Sequence, residues 1–243
     1  MFRTAWFVLN LFIYTVWYAS KAVIAGLLGV PNRPGGVYDE CARRWSKGML
    51  RAAGIEARLV GWEKISPHGP VVYVSNHQSW FDIFLLAGLI PTQMRFVSKQ
   101  ELATIPILGR AMRAAGHIFI DRENRQKAFG AYDEAAKAIR QGMSAVVFPE
   151  GTRSRTGEIQ PFKKGPFVLA IAAQVPVIPT YCMGTFTLLP KGTMRLTPHP
   201  VAAVFGDPIP TEGMTYDDRE RLMRETRRAI ERLRADAARV VGR

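Results

Sequence analysis

From Ile55 onward, short runs rich in Val, Ile and Phe recur along the chain, and this rhythm restricts the fold more than any other feature. The runs are VVYVS (71–75), RFVS (95–98), HIFI (117–120), AVVF (145–148) and VPVIPTYC (175–182). Stretches of helical character separate most of them: FDIFLLAGL, PILGRAMRAAG, NRQKAFGAYDEAAKAIRQG and KKGPFVLAIAAQ. Strands that alternate with helices imply an α/β fold with a mostly parallel central sheet flanked by helices. Such a sheet presents its functional residues in the loops that leave the C-terminal ends of the strands. From about Tyr216 an Arg-rich helix follows, with Leu222, Thr226, Ala229, Ile230, Leu233 and Ala237 on one stripe, as expected of a terminal helix docked on the domain.

The region before Ile55 is different. Between Arg3 and Lys21 lie 17 residues without a charge, TAWFVLNLFIYTVWYAS, and a second uncharged stretch, AVIAGLLGVPN, follows Lys21. A bilayer span needs about 20 predominantly apolar residues. Trp6, Trp17 and Tyr18 are aromatics of the kind found at headgroup level. A cleaved signal peptide lacks a clean A-x-A site here, and a buried core helix would need a polar face that this stretch does not have. A membrane-embedded helix with Lys21 reaching an interface fits best, whether it crosses the bilayer or re-enters one leaflet. After the turn PNRPGG, residues 37–54 place Val37, Cys41, Trp45 and Met49 four apart, accompanied by Arg43, Arg44, Lys47 and Arg51. Such a helix either lies on a membrane surface or packs against the following domain. The expected division is therefore a two-helix membrane-binding segment, 1–54, and an α/β domain, 55–243.

A net charge of +13 and a pI near 10.2 call for an acidic partner: nucleic acid, an anionic membrane surface or a phosphorylated substrate. Charge alone does not separate these, but the N-terminal helix favours the membrane. Cys41 and Cys182 are far apart and form no C-x-x-C pair, so two reduced thiols are expected rather than a disulfide or zinc framework.

Two constellations carry chemistry. Asn76-His77-Gln78-Ser79-Trp80-Phe81-Asp82 joins a strand to a helix. With His77 in the strand-exit loop and Asp82 in the first helical turn, the side chains can converge. A carboxylate on one imidazole nitrogen fixes the tautomer and leaves the other basic, ready to take a proton from a hydroxyl. A structural His–Asp hydrogen bond is the alternative on this motif alone. The second constellation, Phe148-Pro149-Glu150-Gly151-Thr152-Arg153-Ser154, also follows a strand. Glu150 offers an acceptor for a hydroxyl, Gly151 allows close approach of backbone amides, Thr152 and Ser154 add hydroxyls, and Arg153 can pair bidentately with phosphate. Two further features are weaker by themselves: Asp121-Arg122 reads as a local salt bridge, and Lys99, after its strand, as a solvated lysine. No G-x-G-x-x-G, P-loop, G-x-S-x-G or H-E-x-x-H motif occurs, and His68, His77, His117 and His199 are scattered, so no metal is expected.

N-H-Q-S-W-F-D, G-H-I-F-I-D-R, F-P-E-G-T-R-S and V-P-V-I-P stand in the order and approximate spacing of the four blocks of glycerolipid acyltransferases. More narrowly, the chain resembles the bacterial 1-acylglycerol-3-phosphate acyltransferases over roughly Val71 to Pro179, and its hydrophobic start matches as well. The resemblance implies His77 as catalytic base with Asp82 as its partner. It implies Arg122 and the Glu150–Arg153 block, with Gly151 and Thr152, as the glycerol phosphate site, Lys99 as an added basic contact, and Val175–Pro179 on the acyl-donor side. The implied reaction moves a fatty acyl group from acyl-CoA or acyl carrier protein to the 2-hydroxyl of lysophosphatidic acid, giving phosphatidic acid in phospholipid biosynthesis. No cofactor beyond the thioester cosubstrate is implied, and no nucleic acid partner. The implied location is the inner (cytoplasmic) membrane with the catalytic domain facing the cytosol. Glycerol-3-phosphate, another lysophospholipid or a lyso-ornithine lipid are alternative acceptors. A non-catalytic basic module on membrane or nucleic acid is the alternative outside enzymes.

Overall fold

A computed structural model describes residues 2–65, 69–121, 125–193 and 195–241. Helices α1 (Phe2–Leu27) and α2 (Val37–Ala52) come first, and strand β1 (Ala57–Val60) opens the sheet. The chain then alternates: β2 (Val72–Ser75), α3 (Phe81–Leu89), β3 (Met94–Lys99), α4 (Leu108–Ala114), β4 (Ile118–Ile120), α5 (Arg125–Arg140), β5 (Ser144–Val147), α6 (Gly165–Ala173) and β6 (Val177–Met183). A short α7 (Thr185–Leu188), β7 (Val201–Phe205) and the long α8 (Arg219–Val241) complete it. The five strands read from the sequence are present. β1 and β7 are additional: ARLV is only four residues with a charge inside it, and two alanines interrupt VAAVF, which weakens the local strand signal of each.

The seven strands lie in the order β1-β7-β6-β2-β5-β3-β4. Every neighbouring pair is parallel except β6 with β7. Both faces are covered, as parallel sheets require. Tyr73, Ile178, Ala203 and Phe205 point into one core with α2 and α3. Val72, Val74, Val177, Ala202 and Val204 point into the other with α5, α6 and α8. This is period-two alternation across a two-faced sheet. Leu222, Thr226, Ile230 and Ala237 of the terminal helix are buried against the second core, which accounts for their stripe.

α1 is long and apolar enough to cross a membrane, and most of its side chains are unburied. It packs on α2 and α4. Small residues make the approach close: Ala19, Ala22 and Ala25 meet Ala111 and Ala115, and a β-carbon on Gly48 would overlap the Tyr14 ring. α2 turns Cys41, Met49 and Leu50 inward, so its apolar stripe packs against the domain, while Arg44, Lys47 and Arg51 remain exposed. The hairpin is pinned by a buried ion pair, Arg95 on β3 to Asp39 on α2 at 2.7 Å. Arg95 also donates to the side-chain oxygen of Asn32 at 2.6 Å, and Asn32 donates to the Ala115 carbonyl. Breaking such a buried pair on one side costs about 3–5 kcal/mol.

Candidate active site

β2 and β5 are neighbours, so their C-terminal exits place the 76–82 and 148–154 loops side by side. Asn76 fixes the first loop to β6: its amide nitrogen donates to the Cys182 carbonyl at 3.1 Å and its oxygen accepts from the Cys182 amide at 2.7 Å. The loops are also tied directly, since the Ser154 amide donates to the His77 carbonyl at 2.8 Å.

His77 and Asp82 do converge. Nδ1 of His77 lies 2.8 Å from Oδ2 of Asp82, whose side chain is buried. The same oxygen accepts from the amides of Gln78 at 2.6 Å and Ser79 at 2.9 Å. Three donors on one oxygen hold the carboxylate at the start of α3, where the helix dipole favours negative charge. The imidazole stacks on Phe148, with centroids 4.0 Å apart and planes within 15°. With Nδ1 engaged and the ring clamped, Nε2 is left for the cleft that His77 lines.

Glu150 is turned inward. One carboxylate oxygen accepts from the His77 amide at 2.8 Å and the other from the Gln160 amide at 3.1 Å. Burial pushes its pKa up to about 7, against the downward pull of those two hydrogen bonds. The side chain thus braces the loop that carries His77. Gly151 has φ +73, a conformation that favours glycine, and it lines the cleft together with Thr152 and Arg153. The Arg153 guanidinium lies 4.9 Å from the centroid of the exposed Trp80 ring. Lys99, at the end of β3, lines the same cleft. Arg122 lies outside the described residues, as does His68. Val177 and Ile178 of the fourth block are buried in β6, one on each face of the sheet.

Lys191 is a cleft residue that motif reading missed. Its ammonium donates to Thr152 Oγ1 at 2.9 Å and to the Arg153 carbonyl at 3.0 Å. Loss of water, then the charges of Arg155, Arg153 and Lys99, lower its pKa. It comes from the loop after α7, which Ser79 holds through a hydrogen bond to the Leu189 carbonyl. No local pattern marks P-K-G as more than a turn.

The cleft, about 570 Å³, has two characters. Around His77 it is polar and cationic, with Lys99, Arg153 and Lys191. Its remaining lining is largely apolar, with Tyr18, Ala19 and Ala22 of α1, Trp45 of α2, and Leu108 and Ala111 of α4. His117 lies there too. Burial and the neighbouring Arg95 push its pKa down to about 3, so it is neutral, and its Nδ1 accepts from the Phe96 amide. Among the described residues, no three His, Cys, Asp or Glu side chains come together as a metal set. An imidazole base between an anion-binding mouth and an apolar recess can activate a hydroxyl on an amphiphile that carries a phosphate.

The model of the acyltransferase family matches residues 56–183. The 1-acyl-sn-glycerol-3-phosphate acyltransferase of Limnanthes douglasii is 38% identical over 165 residues, 68% of this chain and 58% of that protein. The human 1-acyl-sn-glycerol-3-phosphate acyltransferase alpha is 37% identical over 166 residues, 68% of this chain and 59% of that protein. The match therefore spans under two thirds of those relatives' length. The crystal structure of the 1-acyl-sn-glycerophosphate (LPA) acyltransferase PlsC from Thermotoga maritima superposes with a TM-score of 0.78 at 28% identity. That likeness covers 96% of this chain and 95% of that one.

Proposed function

Because the chain belongs to the acyltransferase family, we propose that it transfers a fatty acyl group from an acyl thioester to the 2-hydroxyl of 1-acylglycerol 3-phosphate, giving phosphatidic acid. The observation that carries this reading is the placement of the His77–Asp82 pair at the junction of a cationic mouth and an apolar recess within one cleft.

In the proposed step, Nε2 of His77 takes the proton of the acceptor hydroxyl as its oxygen bonds to the thioester carbonyl carbon. The tetrahedral intermediate then expels the thiolate, which receives that proton from His77. Asp82 orients the ring and stabilises the imidazolium between these events. Arg153, Lys191 and Lys99 supply the field for the acceptor phosphate, and Arg122 is assigned to the same phosphate by its place in the second block. Glu150 acts on His77 by holding its backbone. Residues 1–54 form the anchor: α1 sits in the bilayer and, with α2 and α4, forms the wall along which an acyl chain lies. The catalytic domain, 55–243, faces the cytosol at the inner membrane, where coenzyme A and acyl carrier protein thioesters are found. Both donors carry acidic groups that suit the +13 chain.

Membranes containing the protein, given a mixture of lysolipids with acyl-CoA or acyl carrier protein, should yield phosphatidic acid by mass analysis. His77→Ala should abolish that product while leaving folding and membrane association intact. Substantial residual transfer by that variant would overturn the role of His77, and preferential acylation of a phosphate-free lysolipid would overturn the acceptor.

A further inference from the structure

Large exposed apolar side chains cluster, with a single exception among the described residues. Among the described residues they fall on α1 and the chain just after it, and on Trp80, Ile105 and Ile107, with Tyr216 the single exception. Trp80 and Ile105 line the cleft. The turn before α4 therefore presents Ile105, Pro106 and Ile107 in succession to the outside.

This turn is also strained. Ile107 has φ 62 and ψ −58, and the Leu108 amide donates to the Pro106 carbonyl at 2.6 Å. The arrangement is a γ-turn with positive φ, a rare conformation and one that a β-branched side chain resists. A glycine at 107 would relieve it. The surroundings hold the turn in place instead: Gly109 is packed so tightly on the Ala103 carbonyl that no β-carbon fits, and its amide donates to the Ile105 carbonyl at 2.8 Å. Strain of this kind, combined with outward apolar side chains, persists where the outward direction is used.

Two observations identify what the turn faces. Ile105 and Leu108 line the same cleft as Thr15, Tyr18 and Ala19, so the turn stands beside the middle of α1, the helix apolar enough to cross a membrane. Arg110 and Arg113 are exposed on the helix that follows, and Glu101 is the exposed acid on the preceding 3-10 turn, Gln100–Thr104. Apolar residues flanked by arginines complement the interface of an anionic bilayer, apolar groups below and cations at headgroup level. We propose that the 105–108 turn is a second membrane contact. It inserts Ile105 and Ile107 into the bilayer beside α1 and sets Arg110 and Arg113 on anionic headgroups, so that the cleft opens directly into the acyl-chain layer. This rests on α1 being membrane-embedded but not on the acyl-transfer chemistry, so its first test does not depend on activity.

The full-length chain in phosphatidylethanolamine/phosphatidylglycerol vesicles, carrying Ile107→Cys labelled with an environment-sensitive fluorophore, provides that test. Cys41 and Cys182 are buried, and the unsubstituted chain gives the labelling background. The label at 107 should shift to the blue and be quenched by lipids spin-labelled near the headgroup. The same label on exposed Glu212→Cys should stay water-like. A water-like label at 107 in vesicles would overturn the proposal. An equal blue shift in lipid-free detergent that depends on protein concentration would also overturn it, in favour of a second copy covering the turn. Separately, Ile107→Ser, outside the cleft lining, should raise the apparent KM for vesicle-borne lysolipid and leave turnover of detergent-dispersed lysolipid unchanged. An unchanged vesicle KM counts against the contact.

Discussion

Exchanging Glu150 for glutamine separates two roles for this residue, a contact to substrate and a brace for the catalytic loop. The carboxylate is 4% exposed and both its oxygens accept backbone amides, from His77 and Gln160. Burial nonetheless raises its pKa from 4.5 to about 7. A carboxyl with a higher pKa in the folded chain than in the unfolded one holds its proton more tightly when folded. Its contribution to stability is therefore complete below about 4.5 and is lost as pH rises through about 7. A gap of roughly 2.5 units at about 1.36 kcal/mol each amounts to about 3 kcal/mol. For a domain of this size 1 kcal/mol moves Tm by about 2–4 °C, so the upper bound is roughly 6–12 °C. Glutamine is neutral throughout and resembles the protonated acid, each leaving one backbone amide poorly served. The two proteins should therefore melt close together near pH 4.5 and diverge above pH 6, with Glu150→Gln the more stable at pH 8. Thermal melts in detergent across that range, followed by tryptophan fluorescence, measure the difference directly. Parallel melting curves would refute the reasoning. The brace also predicts an acceptor KM close to wild type in Glu150→Gln, because its oxygen can still accept the His77 amide.

Other perturbations follow from the same geometry. Asp82→Asn keeps an oxygen for the three donors but places an NH2 where the buried Oδ1 has no partner among the described residues, and removes the charge beside the imidazolium. Turnover should fall by about 10²–10⁴ at saturating substrates, and a smaller loss would count against Asp82 as partner of the base. Arg153→Ala and Lys191→Ala should each raise the KM for the phosphate-bearing acceptor, on the order of tenfold or more, given about 1.5–3 kcal/mol for a charged hydrogen bond. An unchanged KM would remove either residue from the phosphate site. Gly48→Ala forces a methyl into the Tyr14 ring and should loosen α1 from α2, read as faster proteolysis of the N-terminal hairpin at little change in the sheet's melting. Asp39→Ala strands buried Arg95 and should cost about 3–5 kcal/mol, measurable as a lowered Tm.

The alternation of apolar runs with helical stretches was readable from local pattern, because strands buried on both faces are near-continuous Val and Ile runs. Such runs identified β2 to β6 and their order along the chain. β1 and β7 escaped because an alanine-interrupted run and a tetrapeptide with a charge inside it become strands only through the neighbours they pair with. His77 and Asp82 were legible as a pair because five residues across a strand exit leave few other geometries. Arg153 was legible as a cation beside glycine.

What the linear chain did not contain was adjacency. Glu150 reads as a group facing a hydroxyl, and nothing in its own segment says that it also accepts the His77 amide, 73 positions away. Lys191 sits in an unremarkable turn and joins the cation cluster only because Ser79 anchors its loop. α2, equally a surface helix or a packed one by its periodicity, was decided by Arg95, Asp39 and the fit of Gly48 to Tyr14. The sequence by itself determined the layered α/β architecture and which residue types stand at two strand exits, since these depend on residue type and short spacing. Tertiary structure alone decided that the N-terminal helices wall the cleft and which polar groups hold the His77 loop. Those roles depend on which surfaces meet, and contacts between segments far apart in the chain leave no period in either one.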